Sequence, residues 1–180
     1  DHFNHPPLFN DLGCFRTGPD VMGIHNFMFP PFCGNGEGTA FLYLNRRQAA
    51  VCDAKVSYTW FPDHVRRRSQ FEGFEIETVT QALAGEPGAL IRLNVFNPSN
   101  DRRTVEIAIR LAGRLKNTVD EWASIHPVIG ITDEHRESWQ FNEKAGVMVF
   151  SSDSDAFSCQ GTRPLPDRIE GKRFLFEQTI

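Results

Sequence analysis

Tyrosine is scarce in this sequence: there are two, against sixteen phenylalanines in 180 residues. The aromatic content therefore brings large apolar area with almost no hydrogen-bonding handle, as suits rings that are to be packed. The four cysteines, Cys14, Cys33, Cys52 and Cys159, form no C-x-x-C pair, which speaks against a zinc site. Free, mostly buried thiols are expected instead, because a chain of this length builds a core without disulfides. No N-x-[ST] acceptor is present, since Asn97-Pro98-Ser99 is blocked by its proline. No apolar run approaches membrane-spanning length, and no signal peptide is visible. G-x-G-x-x-G, Walker, G-x-S-x-G and nucleophilic Cys–His patterns are missing too. The glycines of Gly34–Gly38 precede a strand rather than a helix, so they are read as a turn and not as a phosphate cradle.

What is present fits an ordinary globular chain. It is 40% hydrophobic and 23% charged, with a formal net charge of −4, which argues against nucleic acid as a partner. One domain is expected over residues 1–180. The chain opens on Asp1 and stops in RFLFEQTI. Ending on an apolar strand that would form an exposed edge leads to the expectation of a longer parent chain. Nothing points to a membrane partner, and a cytoplasmic location is slightly favoured.

Period-two alternation dominates the middle of the chain. Phe74–Val79 alternates apolar and polar; after Gly85-Glu86-Pro87-Gly88, Ile91, Leu93 and Val95 share one face with Arg92 and Asn94 on the other; after Asn97–Asp101, Val105, Ile107, Ile109 and Leu111 repeat the pattern. Such runs are half-buried antiparallel strands. Three successive strands, flanked by Thr39–Leu44, Ala49–Cys52, Lys55–Phe61, His126–Thr132, Val147–Phe150 and Arg173–Ile180, predict an all-β, two-sheet antiparallel sandwich. Leu111, Leu115, Val119 and Trp122 fall at helical spacing and predict one or two helical turns. Residues 1–38, dense in Phe, Pro and Gly, are expected to form an irregular arm pressed onto an apolar surface. Phe27, Phe29 and Phe32 of that arm are expected at an interface.

Few side chains suggest chemistry. His2 and His5 lie three apart, but Pro6 and Pro7 oppose the helix that a metal pair at this spacing would need, so no metal or other cofactor is expected. Arg66-Arg67-Arg68 could meet an anion, yet Glu72, Glu75 and Glu77 lie close enough to neutralise it. Glu75 and Glu77 share a strand face in the manner of a glycosidase carboxylate pair, though they also read simply as the strand's polar side. Ser151–Asp155 is a polar loop with no calcium-loop glutamate. No catalytic residue is assigned. Trp60, Trp139 and Tyr58 are the candidates for stacking on sugar rings.

The run from Val56 to Leu111 resembles the amino-terminal β-sandwich domains of bacterial glycoside hydrolases whose catalytic part is an (α/α)6 barrel, the six-hairpin glycosidase type. The elements that carry the resemblance are Trp60-Phe61-Pro62, Phe71–Ile76, Leu90–Ser99 and Arg103–Leu111, within residues 39–112. The resemblance implies a non-catalytic accessory domain of a carbohydrate-processing enzyme. It would pack on a catalytic helical barrel of the same parent chain, or on a second copy of itself, and the acid and base would lie on the barrel. A free-standing carbohydrate-binding module and a small independent enzyme are the alternatives.

Overall fold

The computed structural model describes residues 5–34, 38–50, 54–113, 115–117, 138–151 and 157–180, and these residues form strands and turns with no helix. The expectations for His2, Cys52, Val119, Trp122, the strand at His126–Thr132 and most of the Ser151–Asp155 loop lie outside them.

The first surprise is the amino-terminal segment. Strands β1 (Pro7–Phe9), β2 (Cys14–Thr17), β3 (Ile24–Phe29) and β4 (Phe32–Gly34) pair antiparallel into a sheet where an irregular arm was expected. The dense turn residues do not abolish strands here; they cut them to between three and six residues. A bulge in β3 refines the packing. Arg16 pairs with His25 and Cys14 with Met28, so Asn26 (φ 53°) and Phe27 together face Phe15. One extra residue switches the inward side, from Ile24 to Phe27 and Phe29.

Strands β5 (Phe41–Leu44) and β6 (Arg47–Gln48) form a hairpin around Asn45 and Arg46, both left-handed, with φ of 49° and 68°. Two consecutive positive φ values match a hairpin turn to the strand twist. Next comes a four-stranded meander of β7 (Val56–Trp60), β8 (His64–Phe71), β9 (Phe74–Ala82) and β10 (Ala89–Phe96). The β8–β9 link, Glu72-Gly73, repeats the left-handed pair at φ 54° and 75°.

The chain then leaves this sheet. Strand β11 (Thr104–Arg110) pairs with β5 on one side and the last strand on the other, not with β10. Strand β12 (Leu115–Asn117) returns to pair with β4, so the helical spacing from Leu111 produces a strand. Strands β13 (Ser138–Asn142), β14 (Val147–Ser151) and β15 (Phe157–Gly161) make a separate sheet, and β16 (Arg168–Glu170) and β17 (Arg173–Thr179) complete the one around β11.

The result corrects the two-sheet sandwich. Four small sheets, ordered β1-β2-β3-β4-β12, β10-β9-β8-β7, β16-β17-β11-β5-β6 and β13-β14-β15, stand in a propeller-like ring. The period-two signal was correct for the meander and for β11, β14 and β17, while the described part of the strand expected at Ala49–Cys52 is not a strand and Arg47–Gln48 is; the signal reports which face is buried, not which neighbour supplies the hydrogen bonds. The carboxyl-terminal strand is also no open edge, since β17 lies between β16 and β11.

The sheets share cores. Leu42, Leu44, Phe74, Ile76, Val105, Ile107, Ile109, Met148, Phe150, Phe174 and Phe176 join three sheets in one cluster, against which Ile91, Leu93 and Val95 pack half-buried. Leu8, Phe15, Ile24, Phe29 and Val65 form a second cluster between the first sheet and the meander. Phe174 is fully buried, whereas Leu90 on the outer side of β10 is half exposed. Phe174→Ala is therefore expected to lower stability by about 3–5 kcal/mol through lost transfer energy and cavity formation. Leu90→Ala should change it by about 0.5 kcal/mol or less. Urea unfolding of the two variants measures the contrast, and equal effects would contradict this assignment of the core.

Candidate functional site

The site is built on one buried cation. Arg67 stands in mid-β8, opposite Tyr58 of β7 and Thr78 of β9, and its side chain is fully buried. Its guanidinium donates to the carbonyls of Asp20 (3.0 Å), Gly23 (2.8 Å) and Met22 (2.6 Å), to the Gly18 carbonyl at 3.4 Å, and to Thr80 Oγ1 (3.0 Å). These carbonyls belong to the β2–β3 loop, which is tied internally as well. The Asp20 carboxylate accepts from the Met22 and Gly23 amides, and the Gly18 amide donates to the Gly23 carbonyl. A Cβ on Gly23 would approach that carboxylate to 2.5 Å, so the loop needs glycine there. Thr78 Oγ1 donates to the Val21 carbonyl and the Tyr58 hydroxyl to the Pro19 carbonyl. Sheet and loop are thereby joined by polar bonds within a mostly apolar interior.

Beside this anchor lies an aromatic platform. Tyr58 and Trp60 project from the same side of the edge strand β7, and their rings stack at 5.3 Å with 17° between planes. The His5 ring meets both edge-on, at 4.6 and 5.4 Å. Tyr58 is half-buried with its hydroxyl engaged, while Trp60 is 37% exposed. One ring is thus held and braces the other, which faces water.

Around the hairpin tip, on the opposite face of the meander, Phe61 stacks on His64 at 4.3 Å and 12°, and the Arg66 guanidinium lies over the Phe61 ring at 5.5 Å. His64 Nδ1 donates to the Asp63 carboxylate at 2.8 Å, and that hydrogen bond holds Asp63 below its ordinary pKa. The tip therefore shows aromatic surface on both faces, with polar and cationic groups beside the second.

The remaining candidates disperse. Trp139 is exposed but sits on β13 in another sheet, with no ring contact to Tyr58 or Trp60 among the described residues. Phe29 is buried, and Phe27 is half-buried and stacked on Phe15 at 5.6 Å, so both belong largely to the second core; Phe32 is half-buried on β4. The exposed apolar groups of the first sheet are instead Phe9 and Met28. Glu77 is paired with Arg68 at 2.7 Å, and Glu72 with Arg47, so the carboxylates near the basic triplet are largely committed. Glu75 borders a shallow depression of about 190 Å³ with Gln70, Gly73, Phe74 and Pro98. Cys14 is half-buried and Cys33 buried, but Cys159 is exposed, against the expectation of burial. Sequence reasoning missed the role of Arg67. The one available signal was an arginine at an inward position of an alternating strand. Comparison with known proteins returns no matching family model, no matching curated protein and no matching solved structure.

Two measurements address the anchor. Arg67→Met would leave several buried carbonyls without a donor, and stability should fall by about 3–5 kcal/mol in urea unfolding; a loss under about 1 kcal/mol would contradict the anchoring role. Burial pushes the Tyr58 phenol from its ordinary 10.0 up to about 12, an effect that Arg67 opposes and Asp20 reinforces. The folded state then keeps this proton longer than the unfolded chain. The phenol's contribution to stability is whole below pH 10 and is lost as pH rises toward 12. Burial pulls Arg67 down to about 10, which has the opposite sign over the same window. Tyr58→Phe should therefore lose less stability than the parent between pH 10 and 12. Its absorbance titration at 295 nm should also lack the late phenolate step near pH 12.

Proposed function

We propose that this chain is a non-catalytic, carbohydrate-contacting domain of a carbohydrate-processing enzyme of the glycoside hydrolase kind, with the sugar stacking on Trp60. The observation that carries the reading is the braced Tyr58–Trp60 pair with its exposed indole. A pyranose presents a face of C–H groups that lies flat on an indole, and a ring already held by neighbours gives up little conformational freedom on binding. His5 and the Tyr58–Pro19 bond supply that restraint. The enzyme context rests on the resemblance of Val56–Leu111 to domains that accompany glycosidase barrels. The pairing of Glu77 with Arg68 at 2.7 Å engages one of the two candidate carboxylates with a neighbouring side chain, which favours a non-catalytic reading.

Affinity electrophoresis through gels containing a panel of plant and microbial polysaccharides, followed by calorimetry on the retarding glycan, tests the proposal. At least one glycan is expected to retard the chain and quench its tryptophan fluorescence. Trp60→Ala should weaken binding about tenfold, or about 1.4 kcal/mol, without lowering the unfolding midpoint, while Trp139→Ala should leave binding unchanged. Retardation by no glycan, or an undiminished Trp60→Ala variant, would overturn the reading.

A further inference from the structure

The three arginines of the basic triplet have three different fates, and one of them is unspent. Arg67 is buried in the loop anchor, and Arg68 is paired with Glu77. Arg66 has no carboxylate partner among the described residues; its guanidinium lies over Phe61, and its Nε is buried without a hydrogen-bond acceptor. The register of the meander places a second uncommitted cation in the same row. Arg92 of β10 stands opposite Val79 of β9, which stands opposite Arg66 of β8. Directly opposed residues project from the same face, so two arginines flank one valine, their backbones about 10 Å, or two strand spacings, apart. Arg92 is exposed and makes no ion pair among the described residues.

The surrounding rows show why neither cation is neutralised. The row toward the hairpin tip carries Leu90, Gln81 and His64, and the row on the other side carries Asn94, Glu77 and Arg68. Of these, Glu77 is the anion, and Arg68 holds it at 2.7 Å. Asp63 lies beyond His64 with its carboxylate 80% exposed and bonded to that histidine. Elsewhere on the surface, Arg46, Arg47 and Arg168 each meet a glutamate. Arg66 and Arg92 therefore share one sheet face with no carboxylate paired to either among the described residues.

We propose that Arg66 and Arg92, with Val79 as floor and Phe61 and His64 as rim, bind the oxyanion of an acidic sugar, a uronate carboxylate or a sulfate ester. The planar guanidinium fork matches such an oxyanion with two parallel hydrogen bonds. Phe61 fixes Arg66 in place and shields one side of it from water, which strengthens the contact. The inference rests on the sugar-binding reading above and adds to it a second contact, for an acidic sugar, on the face of the meander opposite Trp60.

The test is titration calorimetry of the full chain with trigalacturonate, with its fully methyl-esterified form, and with a sulfated galactan trisaccharide that carries no uronate. Trigalacturonate is expected to bind at least tenfold more tightly than its ester, with affinity falling as salt rises. Arg66→Gln and Arg92→Gln should each remove most of that preference, and Arg66→Lys should restore it only in part. Arg102→Gln, an exposed arginine in the β10–β11 turn, should leave it intact. Circular dichroism melting confirms that each variant is folded. Preference for the sulfated sugar, lost in the same two variants, supports the site and names sulfate as its anion. Equal binding of acid and ester, or a preference unmoved by both substitutions, overturns the arginine site while leaving the Trp60 platform standing. Binding of none of these sugars, together with no retardation by any glycan, would remove both.

Discussion

A buried guanidinium held by loop carbonyls is the constraint on which the amino-terminal half of this molecule depends. Removing Arg67 from water is expensive, and the expense is met by carbonyl oxygens of one loop and by a threonine hydroxyl, with the Asp20 charge nearby. The arrangement works only if the loop presents those carbonyls inward. Gly18 and Gly23, the Asp20 carboxylate and the close approach between them impose that shape. The same bonds hold β2 and β3 against the meander, so the second core forms at the place where the loop is tied down.

The exposed site follows from this anchor. Tyr58 is directly opposite Arg67 and bonds the same loop through its hydroxyl, which fixes the first ring of the aromatic pair. Trp60, two residues on, inherits that orientation and lies at the end of β7, the edge strand of its sheet among the described residues. A rigid interior and a solvent-facing ring are thus consecutive inward positions of one strand. On the other side of the sheet, the neighbouring Arg66 points out and meets Phe61. Alternation alone sends adjacent arginines to opposite fates.

Much of the chain was legible as strands. Val56–Trp60, Phe74–Ala82, Val147–Phe150 and Arg173–Thr179 alternate, or run apolar, as half-buried strands do, and the spacing of Val56, Tyr58 and Trp60 puts them on one face. The amino-terminal strands were not, because they are only three to six residues long and set among dense turn residues, and a bulge at Asn26 breaks the period in the longest of them. The basic triplet was legible as charge but not as three separate environments, since partner choice depends on which strands lie on either side.

What the sequence determined by itself are the β conformation and the inward and outward sides of its alternating segments, such as Phe74–Ala82, Ala89–Phe96 and Thr104–Arg110. Those follow from side-chain period and backbone sterics, which act within a few residues. The tertiary structure alone decided that β11 pairs with β5 and β17 rather than with β10, and hence that the sheets form a ring instead of two facing layers. Such pairings are chosen by shared burial among residues far apart in the chain, as with Leu44, Ile107 and Phe176 in one core. No local pattern encodes which of several equally apolar strand faces will meet.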